Sequence, residues 1–361
     1  MKRMLCRQGA VIVSVGIAAL LVSACRKHNM DGMDEMEKNV NYPAAYVVNG
    51  ESNTLSVIKL SENTVSETIE LMSGGMNTMG MWPHHIYYSA NASGNRLAVA
   101  MPGMDLSAGH TGSMTGMKGR VMVVDAVKGT VLKDLEVPGM NHNAVFSPDG
   151  AEIWTSQMND KKILVLDAVT FATKNTIAVG DDPAEITFSA DGTKAYVANG
   201  GDDNVMVINP ATKAIVATIA VGDNPVAAWV GFDGKMYVDN EDGQTVSVID
   251  VASNQVVQTI DLGFMPGSVA HNNLKKELWV TAPDNGNVHY WTWNAASNSW
   301  VHSGLFDAGA GAHATVFTND GSTAYVTNQL SESVSVINVA SHTKVKDITV
   351  GKKPNGIVIK Y

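Results

Sequence analysis

Cysteine is nearly missing from this chain of 361 residues, where Cys6 and Cys25 are the two present. Two thiols near the amino terminus exclude a disulfide-built scaffold and any cysteine-rich zinc or iron–sulfur centre. Charged residues amount to 17 % and hydrophobic ones to 45 %, which is neither a disordered nor a coiled-coil composition. Basic residues are the scarcer sign, 25 against 35 acidic, for a net charge of −10. That balance repels phosphates, so no nucleic acid is expected as a partner. The nucleophile elbow, the His-Glu-x-x-His pair and the phosphate loop are all missing. What the chain has instead is 33 glycines and 19 methionines. Glycine without helical patterning predicts short strands joined by tight turns.

Long apolar runs are absent with one exception. Lys2, Arg3 and Arg7 precede an apolar stretch over residues 9–22, too short for a comfortable span and patterned as an export signal. It ends Val22-Ser23-Ala24-Cys25, which resembles the lipobox of bacterial lipoproteins. The resemblance implies a signal peptide over residues 1–24 and lipidation of Cys25. Residues 25–41 are then expected to form a flexible tether to a membrane. The body of the protein is expected outside the cytoplasm, in the cell envelope, periplasmic or at the cell surface.

The rest of the chain is repetitive. Pro83, Asn141, Pro183, Pro225, Pro266, Ala312 and Pro354 each open a similar unit, with a period of about 42 residues. Each unit starts with a short apolar strand. Asp-Gly turns follow at Asp149-Gly150, Asp191-Gly192, Asp233-Gly234 and Asp320-Gly321, a pair suited to tight hairpins. A second strand, a strictly alternating third such as Val246-Ser247-Val248-Ile249, and a closing fourth complete the unit. Period-two alternation of this kind predicts four antiparallel strands per repeat.

Four strands in such a period predict an all-β fold, a β-propeller over residues 42–361. The tetrapeptides Tyr46-Val47-Val48-Asn49, Tyr196-Val197-Ala198-Asn199, Tyr237-Val238-Asp239-Asn240 and Tyr325-Val326-Thr327-Asn328 resemble those of the YVTN-family propellers. Seven blades are expected. Residues 42–80 supply only three strands, and the carboxyl-terminal segment from Pro354 supplies the missing inner one. A monomer closed by its own two ends is therefore expected, with no free sheet edge at the join.

Methionine and histidine collect on one side of this disc. Met76, Met79 and Met81 lead into Trp82-Pro83-His84-His85, and Met101, Met104, His110, Met114 and Met117 fall in a glycine-rich insertion. His142 and His313 occupy positions equivalent to His84 in other repeats, where strand starts ring the channel mouth. Thioether and imidazole suit copper, above all Cu(I), and not oxygen-seeking Mg²⁺ or Ca²⁺. The expected metal ligands are therefore His84, His85, His142, His313 and His110 with Met76, Met79, Met81, Met101, Met104, Met114 and Met117. The blade-start histidines are distantly similar to those on the propeller of nitrous oxide reductase, which hold a copper cluster. Ala184, Val226, Gly267 and Asn355 fill the remaining starts here, so the resemblance extends to a small copper site and not to that reaction.

The leading expectation is a non-catalytic, membrane-anchored protein that binds copper on its loop face. One alternative is a scaffold for an extracytoplasmic protein or a glycan, for which Trp291, Trp293 and Trp300 offer an aromatic platform. The other is a propeller enzyme, resembling lactonases or cofactor-bearing reductases. Of the carboxylates, only Glu185 stands at a blade start.

Overall fold

Each repeat folds as its alternation predicts. In the computed structural model, which describes residues 37–72, 81–91, 94–106 and 116–361, the seventh repeat forms strands Ala312–Phe317, Thr323–Asn328, Ser333–Asn338 and Thr343–Thr349. They pair antiparallel in that order. Seven such four-stranded sheets account for all 28 strands of the described residues. The protein is a seven-bladed β-propeller.

The ring closes through its ends. Strand Pro354–Lys360 pairs antiparallel with Ala44–Asn49, placing Val358 opposite Tyr46 and Ile359 opposite Ala45. The first blade thus takes its inner strand from the carboxyl terminus. Ordered contacts also begin before residue 42. Lys38 and Val40 donate their backbone N–H groups to Lys128 and Val127, and Val40 is fully buried. The expected tether therefore yields to the propeller body a few residues early, because Val40 has an apolar seat between the first two blades.

The tetrapeptide is the repeating device. Its tyrosines Tyr46, Tyr196, Tyr237 and Tyr325 are at most 1 % exposed and fill the seams between neighbouring blades. Its asparagines face the hairpin that follows. Asn328 Nδ2 donates to Ser333 and Ser335, Asn240 to Thr245 and Ser247, and Asn49 to Thr54 and Ser56. Alternation sends successive residues of one strand to different seams. Leu97, Val99 and Met101 pack between the first and second blades, while Ala98 and Ala100 pack between the second and third. Full burial of Leu97, Val99 and Met101 stabilises their seam by roughly 1.5–3 kcal/mol per residue.

Candidate functional site

Repeat geometry brings the blade starts to the channel mouth. Trp82 sits in the left-handed region at φ 48° and turns the chain into Pro83-His84-His85. The two histidines are then clamped on both sides. His84 N–H donates to the Ala100 carbonyl, Ala100 N–H donates to the His85 carbonyl, and Gly356 N–H donates to the His84 carbonyl. Gly356 has to be glycine for this approach. A Cβ there would stand 2.9 Å from His85 Cα and 3.0 Å from the His84 carbonyl oxygen, closer than real Cβ atoms come.

The side chains of His84, His85 and His142 converge. All three are buried, and one ring nitrogen from each lies within 4.8 Å of the others. Ring centroids are 4.5 Å apart for His84 and His85, 4.6 Å for His84 and His142, and 5.0 Å for His85 and His142. His313 stands farther out, its ring 6.2 Å from His84 and 6.1 Å from His85. Its carbonyl accepts hydrogen bonds from Ser268 Oγ at 2.5 Å and Thr281 Oγ1 at 2.7 Å, which hold that strand start in place.

Glu185 is the centre of the charge. Its Oε1 lies 2.9 Å from His85 Nε2 and 3.3 Å from His142 Nδ1, and its Oε2 accepts from Tyr87 Oη at 3.1 Å. Burial opposes an ionised carboxylate here, but the charges and hydrogen bonds of His85 and His142 outweigh it and hold Glu185 well below the usual carboxylate range. Asp239 behaves in the opposite way. Burial, with Glu241 and Glu185 adding repulsion, pushes its carboxyl well above the ordinary value. Its Oδ1 accepts from Trp229 Nε1 at 2.9 Å and from Ala227 N–H at 3.0 Å. Around these groups lies a cavity of about 210 Å³, bordered also by Met265, Leu106 and His313.

Asn355 orients the first imidazole. Its Nδ2 donates to His84 Nδ1 at 2.7 Å, which fixes the plane and the tautomer of that ring. Neither Glu185 nor Asn355 stood among the expected ligands, although the repeat alignment contains both. Asn355 is the first blade's counterpart of His84, and Glu185 is the fourth blade's counterpart of His85.

The methionines divide. Met76, Met79, His110 and Met114 lie outside the described residues, as does Cys25. Met101 was expected in the exposed insertion, but it ends strand Gly94–Met101, opposite Arg120, and is fully buried. The reason is Pro102: the strand keeps its alternation through Leu97, Val99 and Met101 before proline removes the next donor. Met81 packs against the same seam. Met104 and Met117 instead pack with Leu106, Met140 and Met158 in a separate small cluster. The described methionines at the mouth are therefore buried or half-buried, not free loop residues.

No protein-family model matches the chain, and no curated protein matches it. Among solved structures, the periplasmic gluconolactonase PpgL of Pseudomonas aeruginosa superposes with a TM-score of 0.67 at 16 % identity, covering 88 % of this chain and 99 % of that one. Hydrazine synthase of Kuenenia stuttgartiensis gives 0.62 at 19 % identity, covering 79 % and 92 %. The dihydro-heme d1 dehydrogenase NirN gives 0.59 at 14 % identity, covering 87 % and 74 %. At these identities the likeness is one of fold, and it agrees with the strand count: the chain is a seven-bladed propeller.

Proposed function

We propose that this protein is a lipid-anchored, extracytoplasmic propeller of the YVTN type that binds copper at its channel mouth. The observation that carries the reading is the convergence of His84, His85 and His142, buried and with ligand nitrogens within 4.8 Å of one another. Imidazoles select copper or zinc over the hard alkaline-earth ions. Glu185 is held ionised against the imidazoles, so a cation among them meets an opposite charge already in place. In this reading the three histidines hold the ion, and Asn355 and Glu185 orient the rings that bind it. The test is metal analysis of protein purified without chelators, followed by competition with a Cu(I) chelator. At least one copper per chain, the tightest-bound of it lost in H84A/H142A, is the expected result. No copper above background, with unchanged competition in that variant, overturns the reading. Anchoring is tested separately, as C25A is expected to abolish incorporation of labelled fatty acid.

A second reading, an enzyme working in the same cavity, is favoured by two buried carboxyl groups that line it, Glu185 and Asp239. Glu185 and Asp239 have their proton affinities driven apart in the way an acid–base pair requires. PpgL, whose fold this chain shares, is named a gluconolactonase. Lactone hydrolysis that disappears in E185Q, without bound copper, would support the enzyme over the binding protein.

A further inference from the structure

Seven of the eight apolar clusters in the described residues are the seams between blades, and they are built mainly from valine, isoleucine, leucine, alanine and aromatic side chains. The eighth is different. It consists of Met104, Met117, Met140 and Met158 around a single leucine, Leu106. Hydrophobic packing alone does not call for four thioethers in one place, since leucine and isoleucine fill the same volume with better-defined rotamers.

Met104 and Met117 come from the insertion, Met140 and Met158 from two other loops, and the backbones of Met117, Met140 and Met158 are tied together. Met158 N–H donates to the Met140 carbonyl at 2.8 Å. Asn159 accepts from Met140 N–H at 2.9 Å and donates to the Met117 carbonyl at 3.3 Å. Met140 and Met158 are buried, whereas Met104 and Met117 are partly exposed. Leu106 borders both this cluster and the histidine cavity, which makes the two neighbours.

We propose that Met104, Met117, Met140 and Met158 form a second, thioether-only site for a soft monovalent cation, Cu(I) or Ag(I), which loads the histidine site beside it. Thioethers are neutral and polarizable, so they bind such ions and discriminate against Cu(II), Zn²⁺ and the alkaline earths. Met104 and Met117, the partly exposed pair, are the ones an ion from solvent meets first. The proposal deepens the copper reading and rests on it only for the ion's destination.

The experiment is a titration of the full protein, labelled with ¹³C at the methionine methyl groups, with silver nitrate. The four methyl resonances are expected to shift together and saturate at one equivalent, while those of Met122, Met206 and Met236 stay in place. M140L/M158L conserves volume and should lower Cu(I) affinity at this site at least tenfold in competition with a chelator. The H84A/H142A variant should leave the four methyl shifts intact. Methyl shifts in that variant, with no copper at the histidines of the wild type, would sink the histidine reading and keep this one. Resonances of the four that do not respond to Ag(I) overturn this proposal whatever the histidines bind. Should M140L/M158L fail to fold, the wild-type titration decides alone.

Discussion

Glu185 Oε1 sits 2.9 Å from His85 Nε2, joining the fourth blade to the second across the channel mouth. A charged hydrogen bond between blades that are not neighbours gives the mouth a fixed shape. It also places a buried carboxylate, held ionised, against two of the three convergent imidazoles.

Replacing that carboxylate by its amide tests its part in binding. Glu185→Gln conserves volume and one hydrogen-bond acceptor but removes the charge. Copper affinity is expected to fall roughly 10–100-fold, the usual effect of losing a group that orients a metal ligand. Chelator competition reads the change, and circular dichroism checks that the fold persists. Unchanged affinity would exclude Glu185 from the site.

Asp239 makes the pH prediction. Its folded-state carboxyl titrates well above the ordinary value because it is buried. Below the unfolded value, near pH 4, both states carry the proton and stability is undiminished. As pH rises from there, the unfolded chain releases its proton first, and the folded state loses stability. Asp239→Asn keeps an oxygen for Trp229 Nε1 and Ala227 N–H and has nothing to ionise. In metal-free protein its melting temperature should match wild type near pH 4 and exceed it by on the order of 2 °C or more by pH 8. A constant difference across that range would contradict the assignment.

The tetrapeptide asparagine has a calculable worth. Asn328→Ala removes two hydrogen bonds, to Ser333 at 3.1 Å and Ser335 at 2.9 Å, and leaves buried hydroxyls with fewer partners. The expected loss is about 1–3 kcal/mol, measured by denaturant unfolding. Asn328→Asp, which keeps the shape but cannot donate, should lose at least as much.

Closure is tested by truncation. Removing residues 354–361 deletes the inner strand of the first blade and exposes the edge of Ala44–Asn49. It also deletes Gly356, whose N–H holds the His84 carbonyl. Loss of cooperative unfolding or self-association through the bare edge is expected. A truncated monomer that melts like the full chain would refute the role of that strand.

How the sequence and the structure divide the account is visible in particular residues. The alternation of Val246-Ser247-Val248-Ile249, the Asp-Gly turns and the recurring tetrapeptide determine the strands, their number per blade and the pairing of the two chain ends. These are local signals repeated many times, and period-two patterning cannot be satisfied any other way. The same alignment places His84, His142 and His313 at equivalent positions. It could not rank them, because rank depends on distances across a channel that no local pattern encodes. Only the tertiary structure brings His85 and His142 onto Glu185, leaves His313 at the margin, and sets Asn355 against His84. Only it takes Met101 into a seam and gathers Met104, Met117, Met140 and Met158 into one cluster. A repeat determines where each strand begins. The curvature of the closed ring decides which of those beginnings meet, since contact across the mouth depends on blade order and on how deeply each strand enters.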